Sequence, residues 1–254
     1  MKVVILAGGL GTRLAEETEV KPKPMVEIGG KPILWHILRH YLHFGYKDFL
    51  IALGYRGDMI KRYFWDYYQL SGNMTFDFAA KQIDSTHGHN EDWKIQLVDT
   101  GLNAMTGGRI KRLEPWLKNE SFMVTYGDGV SNIDLNALLE FHRANGKLAT
   151  ITAVRPPARF GGIIFNGNLV QKFAEKPQMG EGWINGGFMI FEPEILKYLK
   201  DDQSILETHL FEELVAEGEL TAYRHTDFWQ CMDTLRDKRF LENLWQEGQA
   251  PWII

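Results

Sequence analysis

The sequence predicts an α/β protein: a mostly parallel twisted sheet flanked by helices, with a smaller β-rich lobe. Three observations carry this. Apolar runs of strand length alternate with stripes of helical spacing through residues 3–154. The first run empties into a glycine-rich turn, Leu6-Ala7-Gly8-Gly9-Leu10-Gly11-Thr12-Arg13. Beyond Pro156 the texture changes, with the pairs Gly161-Gly162 and Gly186-Gly187 set among short β-like segments.

Taken in order, residues 3–7 form a short apolar strand. Ile33, Leu34, Ile37, Leu38, Tyr41 and Leu42 then recur at helical spacing, and Gly45 stands where a helix ends in a left-handed cap. Residues 48–53 read as a buried strand, and Met59, Ile60, Tyr63, Phe64, Tyr67 and Tyr68 as a second helical stripe. Short strands are expected near 75–79 and 94–98, then a helix starting at 106–107 with Thr106 able to cap it. A strand over 122–126 ends in Gly127-Asp128-Gly129, followed by a helix over 135–144 and a strand over 149–154. Segments 163–165 and 188–191 belong to the smaller lobe, and Leu235, Phe240, Leu241, Leu244 and Trp245 can share one side of a final helix. Neither an internal repeat nor a Gly/Ser- or Pro-rich linker breaks the chain, so residues 1–254 are expected to form a single domain with a cleft between two lobes.

The bulk composition narrows the function. A chain of 254 residues can bury one large core, and 44% hydrophobic with 24% charged residues is ordinary for a globular protein. The net charge of −5 gives no reason to expect nucleic acid or an anionic membrane as partner. Any phosphate chemistry must come from a local basic cluster. The single cysteine, Cys231, excludes an internal disulfide framework and reads as a small packed side chain rather than a nucleophile. No apolar run approaches the ~20 residues that span a bilayer, and the N-terminus lacks a signal-peptide pattern, so a cytoplasmic protein is expected.

The turn after the first strand is the strongest chemical signal. Glycines without Cβ atoms let backbone N–H groups close on a phosphate. Arg13, and Lys23 in the run KPKPM, add positive charge where a polyphosphate would lie. A P-loop spacing is absent. A dinucleotide fingerprint would need a third glycine where Leu14 stands, and an acid where the basic run 21–23 lies. A plain strand-to-helix turn explains the glycines but leaves Lys23 without a purpose. Both this turn and Gly127-Asp128 fall at predicted strand ends, where ligands sit in parallel sheets. The cluster His87, His89, Glu91 and Asp92 lacks finger-like metal spacing and reads as a solvated loop. Trp229, Trp245 and Trp252 suggest packing or a subunit contact, hence a homo-oligomer.

The run LAGGLGTRL with the later PKPM resembles the signature of the sugar-phosphate nucleotidyltransferases, or nucleotide-sugar pyrophosphorylases. The segments KPKPMVEIGGKPILWHI, DTGLNAMTGGRIKRL, TYGDGV, RFGG, EKP, INGGF and FWQCMDTLRDK, in this order, are most similar to the branch of that family that uses CTP and glucose 1-phosphate. The resemblance spans residue 2 to about residue 239. It implies a Rossmann-like fold and a reaction of CTP with α-D-glucose 1-phosphate that gives CDP-glucose and pyrophosphate. It implies nucleotide binding by Leu6, Ala7, Gly8, Gly9, Leu10, Gly11, Thr12, Arg13, Lys23, Thr106 and Arg109. Arg13, Lys23 and Asp128 are the implied catalytic set, and Asp128 with Asp233 the implied ligands of Mg2+. Gly162, Glu175, Lys176, Asn185 and Gly186 are implied on the sugar-phosphate side. CDP-glucose commonly feeds bacterial surface polysaccharide, so a part in making lipopolysaccharide O-antigen is the implied setting. The same chemistry with UTP or dTTP, and a non-catalytic nucleotide-sugar sensor, stay open as alternatives.

Overall fold

The computed structural model describes residues 1–11, 14–18, 20–86, 91–156, 162–166, 169–174 and 182–253. Among these, a seven-stranded sheet organises the chain. Its strands are β1 (Val3–Leu6), β2 (Asp48–Leu53), β3 (Lys94–Asp99), β4 (Phe122–Tyr126), β5 (Ala149–Val154), β6 (Ile184–Phe191) and β7 (Leu220–His225). Their order across the sheet is β7-β5-β6-β4-β1-β2-β3. All neighbours pair in parallel except β6, which runs against both β4 and β5. The run 188–191, expected in the smaller lobe, is therefore the end of a central strand. What stands apart is an antiparallel ribbon of Gly162–Asn166 and Leu169–Ala174.

Strand alternation explains the two-sided core. Val3 and Ile5 of β1 face one apolar cluster, with Ile33, Leu34, Ile37 and Tyr41 of helix α1 (Ile33–His43). Val4 and Leu6 face the other, with Leu50, Ile110, Leu113 and Phe191. A strand buried on both faces has to be apolar throughout, as VVIL is. The helix expected at 33–42 closes as the sequence requires: Gly45 takes φ +84 and donates its N–H to the Leu42 carbonyl at 2.9 Å.

Helix α2 (Gly57–Gln69) carries the second stripe, and a hairpin of Asn73–Asp77 with Gln82–Thr86 follows it. Helix α3 (Thr106–Arg112) begins at the expected residue, but Met105 holds the capping position. Thr106 turns its hydroxyl elsewhere, accepting the Leu206 N–H at 3.0 Å. Helix α4 (Leu135–Asn145) is capped by the Asp134 carboxylate and ends at Gly146, φ +58. Helix α5 (Leu235–Gln246) opens with a reciprocal capping box between Thr234 and Asp237. Trp252, read as packing or contact, is only 2% exposed and stacks on Phe228. No helix among the described residues is long and apolar enough to cross a membrane.

Candidate active site

The carboxyl ends of β1 and β4 lie side by side, with Leu6 in register with Tyr126. The two predicted strand-end motifs therefore meet. They open onto a cleft of about 1400 Å³ lined by residues 6–11, 125–129 and 184–186, and by Lys23, Thr106, Arg109, Trp229 and Asp233. Among the described residues no acceptor is found for the backbone N–H groups of Gly8, Gly9, Leu10 and Gly11. That leaves a set of donors for an anion.

Lys23, Asp128 and Asp233 converge, although they are far apart in sequence. Lys23 sits in a tight helical turn, Lys23–Met25, entered through Pro22. Asp128 follows β4, and its carbonyl accepts the Met232 N–H at 2.8 Å. A small antiparallel ribbon pairs Gly129–Ser131 with Trp229–Cys231, which brings Asp233 alongside. The capping box then fixes Asp233: Asp237 Oδ2 accepts the Asp233 N–H at 3.1 Å and the Thr234 N–H at 2.9 Å.

The Lys23 ammonium donates to Asp128 Oδ2 at 2.7 Å and also to Asp233 Oδ1. Lys23 is 7% exposed, and burial alone would push its pKa down. The carboxylates of Asp128 and Asp233 outweigh that penalty and hold it above its ordinary value. Cys231 lies beside this cluster, its Sγ 3.7 Å from Asp233 Oδ2. Burial, followed by the nearby carboxylates, pushes its thiol up to about 12, so it stays protonated and is no nucleophile.

Two of the implied nucleotide contacts also bond within the protein. Arg109 lines the cleft, and its guanidinium also bonds within the protein. It donates to the carbonyls of Gly8 (2.9 Å), Gly101 (2.7 Å), Leu53 (3.1 Å) and Leu102 (3.3 Å), and to the Thr100 hydroxyl (2.8 Å). It is a strut under the glycine turn. Gly8 has no room for a side chain because of it: a Cβ there would lie 2.3 Å from Arg109 Nη1. Thr106 likewise donates to Glu207 Oε2 at 3.1 Å.

Asn185 and Gly186 lie across the cleft, where β6 bulges against β5. Gly187 takes φ +88, and a Cβ there would meet Tyr126 Cδ2 at 2.5 Å. The Asn185 amide donates to the Tyr126 hydroxyl at 3.3 Å, and that hydroxyl donates to Glu207. Burial and then the Glu207 charge raise the Tyr126 pKa, so it remains a donor. The Trp229 indole N–H holds the Gly186 carbonyl at 2.7 Å. Sequence reasoning did not single out Tyr126, Glu207 or Trp229 as site residues. Tyr126 could have been found from its place just before Gly127-Asp128; Glu207 carries no such signal. Gly162 opens the separate ribbon, paired with Ala174. Thr12, Arg13, Glu175 and Lys176 lie outside the described residues, as do His87 and His89. Of that polar cluster, Glu91 accepts from the Tyr67 hydroxyl at 3.1 Å and Asp92 pairs with Lys47.

Residues 2–237 match the nucleotidyl transferase family. The glucose-1-phosphate cytidylyltransferase of Salmonella typhimurium is 51% identical over 253 residues, covering 99% of this chain and 98% of that protein. A mannose-1-phosphate guanyltransferase of Saccharomyces cerevisiae is 30% identical over 249 residues, covering 95% of this chain and 63% of the yeast protein. The crystal structure of UDP-glucose pyrophosphorylase complexed with UDP-glucose has the same fold, with a TM-score of 0.69 at 17% identity over 97% of this chain and 98% of that one. A cleft at the ends of parallel strands and a sequence likeness running nearly end to end make the chain a member of the nucleotidyl transferase family.

Proposed function

We propose that this enzyme transfers a cytidylyl group from CTP to α-D-glucose 1-phosphate, giving CDP-glucose and pyrophosphate. The observation that carries the reading is the meeting of Lys23, Asp128 and Asp233 beside the glycine turn, in a chain half identical to a glucose-1-phosphate cytidylyltransferase. A phosphate oxygen of the sugar phosphate attacks the α-phosphorus of CTP in line, and the bond to pyrophosphate breaks. The protein's part is placement and charge. Backbone N–H groups of residues 8–11 hold the nucleotide, the Ala7 N–H being engaged by the Ala52 carbonyl at 3.0 Å. Lys23 neutralises charge growing on the α-phosphate, and Arg13 steadies the leaving pyrophosphate.

Asp128 and Asp233 suit a divalent cation, because these two hard carboxylates already gather around one cationic group, the Lys23 ammonium. Bound Mg2+ would supply charge neutralisation between the phosphates and these carboxylates. On the sugar side the reading uses Asn185 and Gly186 across the cleft, with Gly162, Glu175 and Lys176 completing the pocket. The chain then works as a single cytoplasmic domain, assembled as a homo-oligomer, and its product feeds surface polysaccharide.

The test is pyrophosphate release with Mg2+, glucose 1-phosphate and each nucleoside triphosphate in turn. Release with CTP well above the others is expected. Release with UTP but not CTP would overturn the base assignment, and no release with any nucleotide would favour a sensor.

A further inference from the structure

The first turn of α3 is tied to a distant stretch of chain. The Asp202 and Ser204 carbonyls accept the Met105 and Gly108 N–H groups at 2.8 and 2.9 Å, and the Thr106 hydroxyl accepts the Leu206 N–H at 3.0 Å. The glycines of the MTGGR segment permit that approach. A Cβ on Gly107 would stand 2.8 Å from the Ser204 carbonyl oxygen, and one on Gly108 would strike the Asp202 backbone. Residues 206–210 then wind wide, with the Phe211 N–H reaching five residues back to the Leu206 carbonyl. Turns of this kind are rare and gather at functional sites. This one delivers Glu207 to the cleft.

Glu207 joins two sides there. Its Oε2 accepts the Thr106 hydroxyl at 3.1 Å, and its Oε1 accepts the Tyr126 hydroxyl. The Tyr126 oxygen in turn accepts the Asn185 amide at 3.3 Å. Helix α3, which carries the Arg109 brace of the glycine turn, is thereby linked through one carboxylate to the end of β4 and the start of β6. We propose that Glu207 is a positioning residue for the reaction: the relay Thr106–Glu207–Tyr126–Asn185 sets the acceptor wall of the cleft against the glycine turn. This deepens the cytidylyl-transfer reading and rests on it.

The chemistry calls for a carboxylate. Its ionised form offers only acceptor oxygens, so it takes hydrogen bonds from both hydroxyls at once. With its proton committed to Glu207, the Tyr126 oxygen presents its lone pairs to Asn185. The Asn185 amide then faces one way, with its nitrogen toward Tyr126 and its Oδ1 accepting the Gly187 N–H at 3.0 Å. A carboxamide of the same shape accepts from one hydroxyl but turns a donor toward the other. In-line transfer needs the attacking oxygen ~3–3.5 Å from the α-phosphorus, and a misplacement of about 1 Å costs on the order of 10²-fold. The relay therefore acts on turnover, not on the binding of either substrate by itself.

The test is steady-state pyrophosphate release with CTP, glucose 1-phosphate and Mg2+ on the full chain, with thermal melts to show that each variant is folded. Glu207→Gln should lower kcat by about tenfold to a hundredfold. The KM for each substrate should move by less than about threefold, the mark of an interaction that serves the transition state. Glu207→Asp keeps the charge but is one methylene too short for both hydroxyls, so it should lose as much. Tyr126→Phe should fall likewise, and the double variant Glu207→Gln with Tyr126→Phe no further than the worse single, because the two act as one unit. Full kcat in Glu207→Gln or in Glu207→Asp, a loss carried by KM alone, or losses that multiply in the double variant would each overturn the proposal and leave the transfer reading standing. Where one variant does not fold, the others carry the same test. Wild type that releases no pyrophosphate from any nucleoside triphosphate would remove the transfer reading itself, and the proposal with it.

Discussion

The guanidinium of Arg109 donates to the carbonyl of Gly8 at 2.9 Å, so the glycine turn is braced from beneath by an arginine a hundred residues away. The same guanidinium ties down Leu53, Thr100, Gly101 and Leu102. A planar fork can hold several carbonyls at once, whereas an ammonium cannot match that geometry. Arg109→Lys should therefore fail to rescue function even though it keeps the charge. We expect kcat/KM for CTP to fall on the order of 10²-fold, as misplacing a binding loop does. If Arg109 served phosphate only by its charge, the lysine variant would retain most of its activity in steady-state kinetics.

Gly8 and Gly9 should part company on substitution. A Cβ on Gly8 would collide with the Arg109 guanidinium, while a Cβ on Gly9 would find nothing within 4 Å among the described residues. Gly8→Ala should lose about 1–3 kcal/mol of stability, the usual cost of overpacking. Gly9→Ala should unfold at the wild-type temperature and show weakened CTP binding alone. Thermal melts and nucleotide titration, run side by side, separate the two.

Removing the Lys23 ammonium should cost ~10²–10³ in kcat, comparable to removing one preorganised donor. Its effect on stability has a defined pH window. The folded pKa lies above the ordinary value of 10.5, so the folded state binds this proton more tightly than the unfolded chain. The stabilisation is fully present below about pH 10.5 and is lost only as pH rises through the folded value. The difference in stability between wild type and Lys23→Met should stay flat across neutral pH and shrink only in strong alkali.

Acid should act through His40, a buried histidine of the core. Burial among Tyr41, Phe44 and Phe188 lowers its pKa to about 4. The unfolded chain therefore takes up a proton near pH 6.5 that the folded state refuses until pH 4. Stability should fall as pH drops through that interval, by about 3 kcal/mol in total. Denaturant melts of His40→Leu should show a flatter acid limb; an unchanged slope would assign the loss to other groups.

Cys231 should prove chemically quiet. With its thiol pushed up to about 12, maleimide labelling at neutral pH should be slow in the native protein and fast after unfolding. Cys231→Ser should keep activity within a few-fold, since the cleft uses neither its charge nor its nucleophilicity.

Elements with local signatures were legible in the sequence. The strand at Val3–Leu6, the helix at Ile33–His43 and the strand at Phe122–Tyr126 each announce themselves by apolar spacing and a terminal glycine. So did the glycine turn, Lys23, Asp128 and Asp233, because ordered motifs carry them. What escaped depends on long-range contact. The strand Leu220–His225 reads as polar and alternating, since it pairs on only one side as the outer strand of its sheet. The bracing part of Arg109 was hidden, because nothing local shows that five acceptors from three separate segments surround it. Thr106 looked like a helix cap because its pull toward Leu206 and Glu207 comes from a distant segment.

The reversed strand Ile184–Phe191 has one more consequence. Where β1 and β4 contribute their last residues to the rim, Leu6 and Tyr126, it contributes its first, Ile184, Asn185 and Gly186. The wall facing the glycine turn is thus an inbound thread, paired at its start with β5 alone, Ile184 with Val154 and Asn185 with Ala153, and with β4 only further on, through Met189, Ile190 and Phe191 against Val124, Met123 and Phe122. On the proposed reading, edits at that start reshape the acceptor half of the reaction chamber and leave the donor half as it was, so the architecture lets the two substrate preferences diverge separately.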